Sequence, residues 1–233
     1  MSGPQHRETG GIAHHHRETG GIAHHPSEEL LLDYASGALD EATSLVVAVH
    51  LAYCAACRLQ SRRLEMLGGS LLQELAPVPM ASGALDAALR KLDGIKPFER
   101  PARTVSGDGT PSVLRRYIGG ELKDVRWRRI GPRLAYVPLL RRGNVTARLL
   151  RGVPGSETGP HRHAGLEYTL VLKGGFSDET GSYAPGDLQV MEGDMRHNPV
   201  ADAGGDCINL AVTTGPLRFE SLLQKIVAPL FGF

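Results

Sequence analysis

The chain lacks most features that mark secreted or membrane proteins. Three cysteines in 233 residues are too few for a disulfide-rich secreted fold. No apolar run approaches the length of about 20 residues that spans a bilayer. The N-terminal segment is polar and rich in histidine, so it lacks the apolar stretch that a secretory signal peptide contains. We therefore expect a cytoplasmic protein that does not contact a membrane.

Strong charge of either sign is also missing. The formal net charge is +1 at pH 7, which gives no general attraction to DNA, RNA or anionic lipid. We expect no direct binding of nucleic acid. Walker, dinucleotide-binding and Gly-x-Ser-x-Gly motifs are absent, so no phosphate-binding loop is predicted. The hydrophobic fraction of 41% is ordinary for a globular protein, and the length allows one large or two small domains.

An exact tandem repeat lies near the start of the chain. Residues 6–15 read HRETGGIAHH, and residues 16–25 repeat the same letters. A unit so short and so rich in glycine cannot bury a core, so residues 1–24 are expected to form a disordered tail. A recent duplication, or a start site placed too far upstream, would explain it. The alternative is a tail that buffers metal through its histidines.

Residues 25–95 carry the patterns of a small helical domain. Ser27, Asp40 and Ser82 are candidate N-terminal caps of the first, second and fourth helices. The third helix is expected to end at Gly68-Gly69. Apolar residues recur at helical spacing on one face of the first and the fourth helix: Leu31, Tyr34, Ala35 and Ala38, and then Leu85, Ala88, Leu89 and Leu92.

The pattern changes twice beyond the helices. Proline, glycine and polar residues in 96–114 predict a linker. From 115 to 225, short apolar runs alternate with turn residues, which predicts an all-β sandwich or barrel, followed by a C-terminal tail at 226–233. The predicted fold class is thus a helical domain followed by an all-β domain. The expected strands are 134–140, 145–150, 167–172, 188–191 and 208–213.

The first group of candidate metal ligands lies in the helical domain. The segment His50-x-x-x-Cys54-x-x-Cys57 places three ligands on or near one helical face. A structural zinc site needs four ligands. His25, just before the first helix, is the best placed fourth ligand, although His24 and the upstream copies in the repeat remain alternatives. Such a zinc would join the first helix to the second and stabilise a domain with a small core.

The cysteines allow other interpretations. A Cys-x-x-Cys pair is also typical of thioredoxin-like redox proteins, but no βαβ pattern surrounds Cys54 and Cys57. A further alternative is a metal or redox sensor that acts through Cys54 and Cys57 alone, because thiolates are oxidisable and their oxidation would release zinc. Cys207 lies alone in an expected strand, and we expect it to be buried and inert.

A second group of candidate ligands contains no sulfur. His161 and His163 are two residues apart, so on a strand they point to the same side. Glu167 follows four residues later, and His197 from a later strand would complete the site. Three imidazoles and one carboxylate suit zinc, iron, manganese or nickel. An open coordination position would suit small-molecule or oxidant chemistry. The alternative is a barrel that keeps its fold with empty histidines.

The spacing of this second group resembles the cupin family. The first cupin motif is matched in full by Gly155, His161, His163, Glu167 and Gly174. The resemblance implies a jelly-roll-like cupin barrel that holds a divalent metal, zinc or another transition metal. The second cupin motif is only partly matched: Gly186 and His197 are in register, whereas Glu192, Asp194 and Ala201 replace the usual proline, glycine and asparagine.

The chain from residue 24 onward resembles the ChrR-type anti-sigma factors. The stretch HHPSEELLLDYASGALDEATSLVVAVHLAYCAAC begins at residue 24 and is similar to the zinc-binding anti-sigma domain of that family. The β region resembles the cupin domain of the same proteins. In the family, an upstream histidine joins a His-x-x-x-Cys-x-x-Cys segment to hold one zinc, which implies His25, His50, Cys54 and Cys57 here.

This resemblance implies a transcription regulator rather than an enzyme. The helical domain would bind an extracytoplasmic function (group IV) sigma factor and block its access to core RNA polymerase. The cupin domain would be needed for the response to singlet oxygen or related oxidants. The main alternative is a metal-dependent cupin enzyme, a dioxygenase or isomerase of a small molecule, with an N-terminal docking domain.

Overall fold

A computed structural model of the chain describes residues 21–95, 105–193 and 195–219. Helices fill the first range and strands dominate the others, which confirms the predicted order of a helical region followed by a β region. None of the helices in these ranges is long and apolar enough to cross a membrane. The helices are α1 (Glu28–Ser36), α2 (Glu41–Tyr53), α3 (Ala55–Gln73), α4 (Ala84–Leu92) and the short α5 (Arg115–Ile118), followed by a 3-10 helix at Leu122–Asp124.

Side-chain caps fix where the first two helices begin. Oγ of Ser27 accepts a hydrogen bond from the backbone N–H of Leu30 at 3.2 Å. Oδ1 of Asp40 accepts from the N–H groups of Ala42 and Thr43 at 2.9 and 3.1 Å. Each cap satisfies N–H groups that have no carbonyl partner in the first turn. Both caps are the residues that the sequence predicts.

The third and fourth helices differ from the expectation. α3 does not end at Gly68-Gly69 but continues to Gln73, because a glycine costs a helix interior only about 1 kcal/mol and the flanking leucines favour the helix. α4 follows Gly83, which has a φ of 74°, and has no side-chain cap, so Ser82 does not play the expected role. No residue of α4 is buried. The packed helical unit is therefore formed by α1, α2 and α3.

The β region contains eleven strands among the described residues. Their bounds are β1 (Arg128–Ile130), β2 (Leu134–Arg142), β3 (Val145–Gly152), β4 (His161–His163), β5 (Leu166–Lys173), β6 (Phe176–Asp178), β7 (Gly181–Tyr183), β8 (Leu188–Glu192), β9 (Val200–Ala201), β10 (Cys207–Thr213) and β11 (Leu217–Phe219). Six of them form one antiparallel sheet in the order β1-β2-β3-β10-β5-β8. The remaining strands form the sheets β11-β4 and β7-β6-β9. The five strands expected from the sequence are all members of the large sheet, and the sequence pattern does not predict the short strands.

α2 lies between the other helices and the large sheet. Ten of its thirteen residues are buried, and it packs across β3, β5 and β10. Because the helix is apolar on nearly all sides, it needs neighbours on both faces. The helical and β regions therefore share one hydrophobic core. Its fully buried aliphatic side chains include Val46, Val49, Leu51, Leu149, Leu170 and Leu210.

Part of the predicted linker belongs to the folded β region. Within residues 105–114, Thr110 has no exposed surface. Asp108 accepts hydrogen bonds from Oγ of Ser106 at 2.5 Å and from the N–H and hydroxyl of Thr110 at 3.0 and 2.7 Å. Burial works to raise the pKa of Asp108, but these bonds hold it below its usual range. The polar residues that predict a linker thus build a tight loop, and residues 96–104 lie outside the described residues.

Residues 21–24, at the end of the predicted tail, lie against the β region. The N–H groups of Ala23 and His24 donate to Oδ1 of Asp187 at 2.7 and 3.0 Å. The N–H of Leu188 donates to the carbonyl of His24 at 3.1 Å. These residues therefore run beside the start of β8, because a buried carboxylate binds their backbone. The expectation of a free tail fails for this part, while its first 20 residues and the expected C-terminal tail lie outside the described residues.

Two candidate metal centres

The first cluster forms at the corner between α2 and α3. His50 lies in the last turn of α2, and Cys54 leaves the helix with a φ of −98° and a ψ of 110°. Sγ of Cys54 accepts a hydrogen bond from the N–H of Cys57 at 3.4 Å, which caps the start of α3. All three side chains are buried. A turn between two helices, rather than one continuous helical face, thus brings the three together.

His25 reaches this corner from the segment 22–25, which we call the strap. Its Nδ1 lies 3.5 Å from Sγ of Cys54 and 3.4 Å from Sγ of Cys57. The ring of His24 packs instead on an aromatic ring of the β region, with the centroids 4.4 Å apart. Of the two neighbouring histidines that the sequence leaves open, the structure brings His25 to the thiols. The upstream copies lie outside the described residues.

The geometry of this cluster fits a tetrahedral zinc. The four ligand atoms all lie within 4.8 Å of one another. Bonds of about 2.1 Å to nitrogen and about 2.3 Å to sulfur separate the two atoms by about 3.6 Å in a tetrahedron, close to the distances of Nδ1 of His25. Nε2 of His50 is buried without a hydrogen-bond partner in the described ranges, as suits a metal ligand. Burial and the neighbouring Cys54 raise the pKa of Cys57 to about 12, so zinc must displace a proton there.

The second cluster lies inside the β region. His161 and His163 stand two apart on β4, and Glu167 follows on β5. His197 is brought back beside β4 by a pair of backbone hydrogen bonds to His161, of 3.2 and 3.3 Å. None of the four residues is more than 6% exposed. The structure therefore brings together all four residues of the second predicted group.

Four donor atoms converge at the centre of this cluster. Nε2 of His197 lies 3.0 Å from Nε2 of His161 and 3.1 Å from Nε2 of His163. Oε2 of Glu167 lies 3.1 Å from Nε2 of His163 and 3.5 Å from Nε2 of His197. Metal bonds of about 2.1 Å in a tetrahedron place donors about 3.4 Å apart. The donor set fits zinc or another divalent transition metal.

Burial and the two nearby carboxylates set the charges in this cluster. Burial lowers the pKa of His161 and His163, so both rings are neutral at pH 7 and offer a lone pair. Burial also opposes a charge on His197, but hydrogen bonds to Asp178 and Glu167 raise its pKa to about 9. Burial works to raise the pKa of Glu167, yet the hydrogen bond from His197 and the nearby imidazoles hold it below its usual value. A bound metal would take the place of the proton on His197.

Outer groups orient the ligands, and the sequence patterns did not identify them. Nδ1–H of His197 donates to Oδ2 of Asp178 at 2.9 Å, and Nδ1–H of His161 donates to the carbonyl of Gly159 at 2.8 Å. Each bond places the hydrogen on Nδ1 and directs Nε2 towards the centre of the cluster, as such partners do in many metal sites. Asp178 also accepts from Nε2 of Gln189 at 2.7 Å. No local pattern connects Asp178 with a histidine 19 residues away, so only the fold reveals it.

The third cysteine belongs to neither cluster. Cys207 is 3% exposed, which confirms that it is buried. Burial raises the pKa of its thiol to about 12, in spite of a hydrogen bond with Asn209 that works in the opposite direction. Since the thiolate is the reactive form of cysteine, this thiol is protonated and unreactive at neutral pH.

The fold and the two clusters together define a class of protein: a zinc-finger-like helical domain joined to a cupin domain. A family model described as a putative zinc-finger matches residues 27–58, and one described as the ChrR cupin-like domain matches residues 116–218. The anti-sigma-E factor ChrR of Cereibacter sphaeroides is 45% identical over 207 residues, which cover 88% of this chain and 96% of that protein. The chain belongs to the ChrR family of anti-sigma factors.

The similarity to ChrR extends to a solved structure. A chain in the crystal structure of Rhodobacter sphaeroides SigE in complex with the anti-sigma ChrR matches with a TM-score of 0.72 and 41% identity. The match covers 83% of this chain and 99% of that chain, so it spans both domains. An RmlC-like cupin protein from Ralstonia eutropha matches 42% of this chain and 68% of its own, with 20% identity and a TM-score of 0.37.

Proposed function

We propose that this protein is a cytoplasmic anti-sigma factor whose helical domain binds and inhibits an extracytoplasmic function (group IV) sigma factor. Two facts support the proposal: the family to which the chain belongs, and the likeness to a ChrR chain crystallised with SigE. The observation on this molecule that carries it is an exposed apolar surface on α3, α4 and the segment between them.

This apolar surface is concentrated in one part of the chain. Among the described residues, twelve of the sixteen exposed large apolar side chains lie between residues 59 and 95. Apolar surface of this extent marks a protein-binding site when it is not covered within the chain. Its members are Leu59, Met66, Leu67, Leu71, Leu72, Leu75, Val78, Met80, Leu85, Leu89, Leu92 and Ile95.

α4 shows most clearly that the partner must supply an apolar surface. Leu85, Leu89 and Leu92 lie on one face of the helix and are 59%, 51% and 59% exposed. Asp86 and Arg90 lie next to this face and are charged. An amphipathic helix of nine residues is not stable in water without a surface that covers its apolar face. A helical protein partner buries such a face in a hydrophobic groove, and we propose that this partner is the sigma factor.

In this proposal the first metal centre has a structural role. Zinc held by His25, His50, Cys54 and Cys57 has four protein ligands, which is the closed arrangement of structural zinc sites. It joins the strap to the corner between α2 and α3, so it fixes the direction in which α3 leaves the domain. Because α3 carries the first part of the apolar surface, the zinc shapes the sigma-binding surface.

The second metal centre has a sensing role in the same proposal. The cupin domain holds zinc or another transition metal through His161, His163, Glu167 and His197, and the domain is needed for the response to singlet oxygen or related oxidants. The core that α2 shares with the large sheet supports this role, because a change in the cupin barrel reaches the helical domain through packed side chains. Sustained consumption of dioxygen by the purified protein with a small-molecule substrate would instead favour a dioxygenase.

Co-purification with a sigma factor tests the proposal. The full chain is co-expressed with an extracytoplasmic function sigma factor encoded beside it, and the complex is isolated through a tag on the sigma factor. Leu89→Asp puts a charge into the apolar face of α4 and is expected to abolish recovery of the complex. Arg90→Asp introduces the same carboxylate on the adjacent residue of the same helix and is expected to leave recovery unchanged.

The two variants separate the possible outcomes. Loss of the complex with Leu89→Asp alone supports the apolar face as the docking surface. Equal recovery of the wild-type protein and of both variants shows that α4 does not bind the sigma factor. Failure of the wild-type protein to bind the sigma factor, or to inhibit transcription by the polymerase that contains it, overturns the proposed function itself.

A further inference from the structure

Two ligands of the first metal centre are oriented by contacts from outside the helical domain. His50 has no exposed surface, and its Nδ1 lies 2.8 Å from the carbonyl oxygen of Gly186, in the turn between β7 and β8. A carbonyl oxygen only accepts hydrogen bonds, so Nδ1 carries the proton and Nε2 carries the lone pair. The orientation and the tautomer of this ligand are therefore set by a backbone group of the cupin domain.

The position of a second zinc ligand, His25, depends on the same turn. Asp187 is fully buried, and its Oδ1 accepts from the N–H groups of Ala23 and His24, the two residues before His25. Its Oδ2 accepts from the N–H of Ala184 at 2.8 Å, which fixes the carboxylate within the turn. The two bonds from Ala23 and His24 thus attach the strap to the cupin domain immediately before its metal ligand.

Gly186 allows this close approach because it has no side chain. A Cβ built at this position would lie 2.7 Å from Cδ1 of Ile22 in the strap and 3.0 Å from Cβ of Tyr53 in α2. The φ of Gly186 is 93°, a conformation that residues with a side chain rarely adopt. The strap and the end of α2 therefore close over the bare backbone of the turn, and its carbonyl faces His50.

We infer that the turn 184–188 of the cupin domain is an outer shell of the zinc site in the helical domain, with Gly186 and Asp187 as positioning residues for His50 and His25. The inference rests on the zinc assignment in the proposed function. Outer-shell partners of metal ligands typically change metal affinity by about 10–100-fold when they are removed. By thermodynamic linkage, zinc binding also tightens the contact between the domains by the same factor.

The same turn leads to the second metal centre. Gln189 follows the turn in β8, and its Nε2 donates to Oδ2 of Asp178, which accepts from Nδ1 of His197. Asp187, which binds the strap, thus lies two residues before Gln189, which binds the carboxylate partner of the cupin ligand His197. Only a few contacts therefore link the cupin metal centre to the zinc site. These contacts end at His25, the zinc ligand that lies before α1.

Cobalt substitution in the full chain tests the inference. Thiolate ligands give Co²⁺ a charge-transfer absorption in the near ultraviolet, and only the first centre contains sulfur, so this band reports that centre alone. Asp187→Asn weakens the hold on the strap, and Ala23→Pro removes one of its N–H donors without changing the cupin domain. Both variants are expected to lower the Co²⁺ affinity at the thiolate band by about 10–100-fold, with an unchanged intensity per bound ion because all four ligands remain.

A matched control distinguishes positioning from a general weakening of the domain contact. Glu41 of α2 accepts a hydrogen bond from the hydroxyl of Tyr117 at 3.2 Å and forms an ion pair with Arg142 at 2.9 Å, both residues of the β region. Glu41→Gln weakens this contact away from the metal and is expected to leave the Co²⁺ affinity unchanged. Equal affinity in the wild type, Asp187→Asn and Ala23→Pro overturns the inference but not the zinc assignment. Absence of the thiolate band in the wild-type protein overturns both.

Discussion

The two metal centres are built in opposite ways. The first draws its ligands from the strap and from the corner between α2 and α3, and one of its ligands, His25, is exposed. The second draws all four ligands from the β region, and all four are buried. A centre that joins separate segments controls how those segments lie relative to one another. A centre enclosed by one rigid frame controls the chemistry of the metal itself. The difference supports a structural role for the first and a sensing role for the second.

Removal of a ligand from the first centre is expected to have the largest effect, and it tests the structural role of that centre. Cys54→Ser is expected to lower the zinc content by one ion per chain and to abolish binding of the sigma factor. A structural zinc contributes about 10–16 kcal/mol in small zinc domains, which is comparable with the whole stability of a domain. Elemental analysis and co-purification measure the two effects. Cys207→Ala, at a buried cysteine outside both clusters, is the control and should leave the zinc content unchanged.

Removing the second centre should give the complementary result. The double variant His161→Ala/Glu167→Gln is expected to lose the second metal, to keep the zinc of the first centre and to keep binding of the sigma factor. We expect the sigma factor to stay bound when singlet oxygen is generated, because the sensing metal is gone. Metal analysis and a transcription assay with and without a photosensitiser measure this. Release of the sigma factor from the double variant by the oxidant, as from the wild type, would show that the sensor lies elsewhere.

The two centres should also differ in their response to pH. Hydrogen bonds to Asp178 and Glu167 outweigh burial and raise the pKa of His197 to about 9, so a metal at the second centre displaces a proton below that pH. Its affinity is expected to rise by roughly tenfold per pH unit from pH 7 and to level off near pH 9. Burial raises the pKa of Cys57 to about 12, so the affinity of the first centre should continue to rise above pH 9.

Competition with a chelator of known pH dependence measures both affinities. Asp178→Asn removes a carboxylate that raises the pKa of His197 and should move the levelling point of the second centre to lower pH. The first centre should not change in this variant. Identical pH profiles for the two centres would contradict the assigned protonation states.

The smallest expected effect concerns the helix that the two regions share. Asp40→Ala removes the cap of α2 and should lower the free energy of unfolding by about 1 kcal/mol. Since α2 packs on both the helices and the large sheet, the loss should appear in one common transition for both regions. Denaturant unfolding followed by far-ultraviolet circular dichroism and by tryptophan fluorescence of Trp127 measures this, with the exposed Asp33→Ala as the control. Separate transitions would show that the shared core does not couple the regions.

The candidate ligands could be found in the sequence because most of them are close neighbours. The segments His50 to Cys57 and His161 to Glu167 each hold three ligands in a short stretch of chain. One change of direction brings these ligands together: the corner between α2 and α3 in the first segment and the step from β4 to β5 in the second. The groups that orient the ligands could not be found in this way. Asp178 and Asp187 act through contacts between distant segments, and Gly186 acts through a backbone carbonyl, which every residue possesses.

The same distinction between local signals and distant contacts applies to the helices and loops. Caps such as Ser27 and Asp40 are local signals, and the predicted helix starts agree with them. α3 passes through Gly68-Gly69 because propensity is a weak signal that the flanking residues outweigh. The loop at 105–114 has the composition of a linker, and only its contacts with the β region reveal that it is folded.

The strap has a further consequence for the order in which the molecule folds. Its bonds to Asp187 join residues 163 and 164 positions apart in sequence, and the bond from His50 to Gly186 joins residues 136 apart. During synthesis the helical segment leaves the ribosome first, but the partners that orient two of its zinc ligands are made near the end. Contacts of such long range form late, after the chain has closed a large loop. The zinc site of the domain that is synthesised first therefore reaches its final form only after the turn 184–188 has been made.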